Sequence, residues 1–273
     1  MSDSPDYIWD DMVFSKVKVT TARIRELKGE RPIVALTAYD FPTAVFADEA
    51  GIDLILVGDS VGTTVLGYSS TIPVTMEHML HHARAVTRAL PEALVVVDLP
   101  FAEAAMPRER VLENCRSFLQ IGADAVKIEG GTSLSSLRGF LVEAGIPVMG
   151  HIGLLPQRYQ VEGGYRKYGI VPEEAEILLE DARSVESSGC FACIAEMMDA
   201  DVCSSVSDQL SIPVIGIGSG GGCDGQILVS PDLLGLNTDK VPSFVKVYAE
   251  LGAQVRQAFE MYRDDVINGN FPK

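Results

Sequence analysis

Leu54-Ile55-Leu56-Val57-Gly58-Asp59 is an apolar run that turns on a glycine and stops at a carboxylate. The same pattern returns along the chain. Leu94-Val95-Val96-Val97 runs into Asp98, Ala125-Val126-Lys127-Ile128 into Glu129, and Ala192-Cys193-Ile194-Ala195 into Glu196. Short runs this apolar read as parallel strands buried on both faces. Eight such strands are expected, at 33–37, 54–58, 94–98, 125–129, 147–151, 192–196, 214–218 and 227–229. Helices are expected between them at 76–90, 108–120, 133–144, 172–188 and 200–210, with Thr75 as a cap and Pro107 at an early position. Further helices are expected at 16–28 before the first strand and at 243–267 to close the chain. Eight alternating β and α units predict an α/β fold, a (β/α)8 TIM barrel with an N-terminal helix; a doubly wound open sheet is the alternative.

The composition narrows the partners. The 273 residues carry a formal net charge of −16, which argues against nucleic acid and against an anionic membrane surface. A hydrophobic content of 47% supports a large core. No composition shift marks an internal boundary, so residues 1–273 are expected to form a single barrel domain with a flexible N-terminus at 1–12. No apolar stretch approaches the length of a spanning helix, and the acidic start does not read as a signal peptide, so a cytoplasmic protein is expected. Five cysteines in a chain of this length suit a reducing compartment. Cys190 and Cys193 form a C-x-x-C within an apolar run and are expected to be buried and structural rather than zinc-binding.

The acids carry the chemistry. In a barrel, the four strand ends meet at the C-terminal rim, where active sites lie. Like charges gathered there repel unless a cation relieves them, and oxygen ligands suit a hard divalent ion, Mg2+ by preference. Helix capping is the alternative role for each acid taken singly. Lys127 precedes Glu129 by two residues, so both face the interior; the lysine there meets an anionic substrate, Glu129, or both. His151 ends a strand and is a candidate substrate contact, whereas His78, His81 and His82 read as helix-surface residues. The glycine-rich segment Gly216-Ile217-Gly218-Ser219-Gly220-Gly221-Gly222 is either a phosphate cradle or a loop of close backbone approach.

Several segments resemble the ketopantoate hydroxymethyltransferase family. They include Val57-Gly58-Asp59-Ser60-Val61-Gly62, Asp98-Leu99-Pro100-Phe101, Val126-Lys127-Ile128-Glu129-Gly130-Gly131 and Gly150-His151-Ile152-Gly153-Leu154-Leu155-Pro156-Gln157. Leu36-Thr37-Ala38-Tyr39-Asp40, Gly163-Gly164-Tyr165, Ile215-Gly216-Ile217-Gly218-Ser219-Gly220 and Asp224-Gly225-Gln226-Ile227-Leu228-Val229 extend the ordered match over about residues 32–246. The resemblance implies a barrel of the phosphoenolpyruvate/pyruvate superfamily, assembled as a homodecamer. It implies transfer of a hydroxymethyl group from 5,10-methylenetetrahydrofolate to 3-methyl-2-oxobutanoate through a Mg2+-stabilised enolate, giving 2-dehydropantoate for pantothenate and coenzyme A synthesis.

By the same resemblance, Asp59 and Asp98 ligate Mg2+, with Glu129 completing the site directly or through water. Asp59, Ser60, Asp98 and Lys127 contact the keto acid, and Glu196 accepts the proton. The chain departs from the family pattern at Ser69, at Ala102-Glu103-Ala104-Ala105, at Met197-Met198-Asp199 and at Pro242-Ser243-Phe244, none of them an implied ligand. Two other functions stay open on the sequence. One is a Mg2+-dependent carbon–carbon lyase or mutase of the same superfamily, although the Lys-Lys-Cys-Gly-His loop of such lyases is missing. The other is a non-catalytic barrel derived from the enzyme.

Overall fold

Thr20, Asp40 and Thr75 each sit in extended backbone and accept a hydrogen bond from an N–H three residues on, so each starts a helix. Gly122 and Gly189 follow helix ends at φ +99° and +84°, where a side chain would be strained. This punctuation divides the computed structural model, which describes residues 17–238 and 241–272. The N-terminus expected to be flexible, 1–12, lies outside the described residues.

The first half runs α1 Thr21–Leu27, β1 Ile33–Thr37, α2 Phe41–Glu49, β2 Leu54–Val57, α3 Val61–Thr64, α4 Met76–Thr87, β3 Leu94–Asp98, α5 Arg108–Gln120 and β4 Ala125–Glu129. The second half runs α6 Ser135–Glu143, β5 Val148–Gly153, α7 Tyr159–Glu162, α8 Pro172–Ser187, β6 Ala192–Glu196, α9 Ala200–Gln209, β7 Val214–Ile217, β8 Gly225–Leu228, α10 Ser230–Leu233 and α11 Leu251–Ile267. The strands are parallel and pair in chain order, and β8 returns to β1 to close the barrel. The expected TIM barrel is therefore the fold. No helix among the described residues is long and apolar enough to cross a membrane.

The differences from expectation are local. Strand β8 begins at Gly225 rather than at 227, because the glycine lies against β1: a Cβ there would stand 2.5 Å from the Ile33 carbonyl oxygen. A residue without a side chain leaves no apolar signal. Helix α2 was not expected; Asp40 caps it and a proline sits in its first turn. The last helix starts at Leu251, not at 243, and none of its residues is buried.

Alternation along the strands builds two cores. Leu54 and Leu56 point into the barrel with Val96, Met149 and Ile194, while Ile55 and Val57 pack outward against helices that supply Met79, Val86 and Phe118. Ile24 and Leu27 of α1 join the interior cluster and plug the end where the strands begin. Three acids standing just before strands hold that end. Asp53, Asp124 and Asp224 each accept a backbone N–H from the preceding strand, from Val34, Val95 and Val214 at 2.8–2.9 Å. Each also binds a cation of the N-terminal segment: Arg31 at 2.6 Å, Lys18 at 2.7 Å and Lys28 at 2.6 Å respectively.

Candidate active site

At the opposite end, Asp98, Glu129 and Glu196 are the last residues of β3, β4 and β6, Asp59 lies just past β2, and Ser60 is the N-cap of α3. Parallel register sets Asp98 beside Lys127 and Glu129 beside His151. Neighbouring strands thereby aim these side chains at one another. The Lys127 ammonium lies 3.0 Å from Asp98 Oδ1, 3.1 Å from His151 Nδ1 and 3.9 Å from Glu129 Oε1. His151 Nε2 lies 3.2 Å from Glu196 Oε2. The Asp59 N–H donates to Asp98 Oδ2 at 3.0 Å, and the Ser60 hydroxyl meets the Tyr39 hydroxyl at 2.7 Å.

The cluster is buried and electrostatically tense. Burial pushes the Asp59 carboxyl well above the usual carboxylate range, and Glu129 and Asp98 push it further. Asp98 is raised by burial despite Lys127, whereas in Glu129 the cost of burial is outweighed by His151 and Lys127, which hold it down. Burial opposes the charge on Lys127, but Asp98, Glu129 and Asp59 together hold the ammonium firmly protonated. For His151, burial and Lys127 favour the neutral ring, and contacts to Glu129 and Glu196 prevail, raising it to about 9.

Four carboxylates thus face two cationic groups, and the imbalance suits an added cation. Asp98 Oδ1 has Lys127 nearby but no aligned hydrogen bond, and Glu129 Oε1 and Thr71 Oγ1 have no hydrogen-bond partner among the described residues. No three His, Cys, Asp or Glu side chains among the described residues form a ready-made cage. Such a donor set fits Mg2+, which binds through one or two carboxylates and takes its remaining ligands from water and substrate. The cluster opens on a cavity of about 90 Å3. Its lining includes Asp59, Ser60, Lys127 and Glu196 together with the apolar Leu56, Ile194, Ile217 and Ile227. A second cavity of about 650 Å3 shares Glu129 and includes Gln157, Arg158, Arg166 and Tyr168.

All seven candidates from the sequence meet here. Reading the sequence assigned nothing to Gln157, yet its amide donates to Asp59 Oδ2 at 2.9 Å and to the Leu99 carbonyl at 3.0 Å, while its N–H donates to Glu129 Oε2 at 3.1 Å. One residue thereby ties two acids of the cluster together. It belongs to the family-like segment Gly150–Gln157, but a glutamine outside a strand carries no periodic signal. Glu196 is held by strained backbone beside it. Met197 sits at φ +50°, fixed by its N–H to Ile217 and its carbonyl to Tyr168, both at 2.8 Å. Gly153 is required opposite, since a Cβ there would stand 2.2 Å from the Glu196 carbonyl oxygen.

The remaining histidines lie on α4. His78 joins the capping box with Thr75, and His82 reaches Tyr39, its Nδ1 lying 2.7 Å from that carbonyl oxygen. In the glycine-rich segment the Ser219 hydroxyl donates to the Ala195 carbonyl at 2.8 Å and accepts from the Met198 N–H at 2.9 Å. Close packing accounts for Gly216, Gly218, Gly220 and Gly222, where a Cβ would stand 2.6–2.7 Å from a neighbouring atom, whereas Gly221 has open space around it. Cys190 and Cys193 are buried thiols, as expected.

Comparison with known proteins agrees with this geometry. Residues 18–273 match the family model described as ketopantoate hydroxymethyltransferase. The chain is 50% identical over 250 residues to the 3-methyl-2-oxobutanoate hydroxymethyltransferase of Thermotoga maritima, covering 92% of this chain and 93% of that protein. It is 48% identical over 256 residues to that of Staphylothermus marinus, covering 94% of each. In fold it is similar to 2,3-dimethylmalate lyase, a member of the PEP mutase/isocitrate lyase superfamily, with a TM-score of 0.60 and 17% identity over 93% of this chain and 89% of that one. On the family match and on identity across nearly its whole length, the chain belongs to the ketopantoate hydroxymethyltransferase family.

Proposed function

We propose that this chain transfers a hydroxymethyl group from 5,10-methylenetetrahydrofolate to 3-methyl-2-oxobutanoate, giving 2-dehydropantoate for pantothenate and coenzyme A synthesis. The observation that carries the reading is the small half-apolar cavity walled by Asp59, Lys127, Glu129 and Glu196. It offers cations and a metal site to an acid headgroup, and Ile194, Ile217 and Ile227 to a branched alkyl tail.

Asp59 and Asp98 would hold Mg2+, with Glu129 contributing directly or through water. When bound, Mg2+ supplies Lewis acidity at the keto oxygen and makes the C3 proton easier to remove. The Ser60 hydroxyl, oriented by Tyr39, and the Lys127 ammonium bind the acid's oxygens, and Lys127 offsets the negative charge that grows as the proton leaves. Glu196 accepts that proton, and His151, its Nε2 3.2 Å from Glu196 Oε2, serves as a substrate-side contact. Carbon C3 then attacks the one-carbon unit, whose folate carrier we assign to the larger cavity adjoining Glu129.

Two further proposals concern the whole chain: residues 1–273 act as one catalytic domain, and the protein is a cytoplasmic homo-oligomer, a decamer by resemblance. The exposed row Val255, Phe259, Tyr262 and Val266 on α11 supports subunit contact. The test of function is exchange of the C3 proton of 3-methyl-2-oxobutanoate in D2O, followed by NMR with and without tetrahydrofolate. Exchange that requires Mg2+ supports the reading, and its absence under both conditions would refute it.

A further inference from the structure

Two thiols outside the site face each other across a tight packing contact. Cys203 lies in α9, fully buried, and Cys223 lies half-buried in the loop between β7 and β8. Their sulfurs are 2.9 Å apart and unbonded. Glycines bring them together. A Cβ at Gly220 would stand 2.6 Å from the Ala200 Cβ, and one at Gly222 would stand 2.7 Å from Ser204, so the loop rests directly on α9. A Cβ at Gly216 would come within 2.6 Å of Cys223 Sγ; its absence leaves room for that sulfur to turn toward Cys203.

We propose that Cys203 and Cys223 form a reversible dithiol–disulfide site, oxidised by hydrogen peroxide and reduced by small thiols. The sulfurs need to move less than an ångström to reach the bond length of about 2.05 Å. The partly open Cys223 is the attacking sulfur, and the Cys203 thiol donating to it holds its pKa below the ordinary value against burial and Asp224. Its thiolate attacks one peroxide oxygen, the O–O bond breaks, and the departing hydroxide takes a proton to become water. Cys223 is then a sulfenic acid. The Cys203 sulfur displaces that oxygen, which leaves with the Cys203 proton as a second water. Two thiols lose two electrons in all, and the peroxide gains them. A small dithiol reverses the step by exchange.

The test treats the native, fully reduced protein with hydrogen peroxide, traps sulfenic acid with dimedone, and maps peptides by mass spectrometry. The expected product joins the Cys203 and Cys223 peptides at a mass about 2 Da below the dithiol, with dithiothreitol restoring both thiols. In Cys203→Ser the dimedone adduct accumulates on Cys223; in Cys223→Ser the Cys203 thiol stays unmodified. Wild-type protein that keeps Cys203 as a free thiol while Cys223 carries dimedone would overturn the proposal, and this readout needs no variant to fold.

Discussion

Lys127 takes one partner from its own strand and another from the neighbouring strand. Its spacing from Glu129 placed both side chains in the barrel, but only the pairing of β3 with β4 set Asp98 at 3.0 Å from the ammonium. Asp98→Asn preserves size and removes the charge. Mg2+-dependent binding of 3-methyl-2-oxobutanoate, followed by calorimetry, is expected to vanish while circular dichroism stays native; unchanged affinity would remove Asp98 from the site. Gln157 gives a second prediction. Because its amide orients the Asp59 carboxylate, Gln157→Ala is expected to weaken Mg2+ binding by about 10–100-fold. Proton exchange measured across a Mg2+ titration separates that loss from a direct effect on catalysis, since saturating metal restores the rate.

At the scale of elements, α1 is more than a leading helix. Ile24 and Leu27 close the interior core from below, so Ile24→Ala is expected to cost about 2–5 kcal/mol in urea unfolding, as for other fully buried aliphatic truncations. The acids beneath the strands add a pH dependence. Burial raises the Asp53 carboxyl, but Arg31 and the Val34 N–H outweigh it and hold the carboxyl below the usual range. A lowered folded value contributes stability above the unfolded pKa of about 3.9, and that contribution is lost as pH falls through the folded value. Asp53→Asn is therefore expected to melt below wild type at pH 7, with the gap closing under about pH 4. Arg31 is half exposed, so solvent screens the ion pair and the gap is expected to be small. No local pattern assigns Asp53, Asp124 or Asp224 this role, because an acid before a strand looks like an ordinary turn residue.

For the whole molecule, α11 leaves Val255, Phe259, Tyr262 and Val266 on one exposed face, which predicts assembly. Light scattering is expected to report a homo-oligomer, and the double variant Phe259→Asp with Tyr262→Asp a smaller species; a wild-type monomer would contradict the proposal. The strands themselves were legible in the chain, since apolar runs ending at Asp59, Asp98, Glu129 and Glu196 require strands buried on both faces with acids at one rim. That information is local and periodic, so residue order alone determined the buried parallel strands and the family that the ordered motifs resemble. The return of β8 to β1 closed those strands into a barrel rather than the open sheet that the sequence also allowed. Tertiary structure decided what joins distant positions: the Lys127–Asp98–His151 contacts, the grip of Gln157 on two acids, the α1 plug, and the meeting of Cys203 with Cys223. Those depend on strand register and on loops pressed against helices, and neither leaves a period in the sequence.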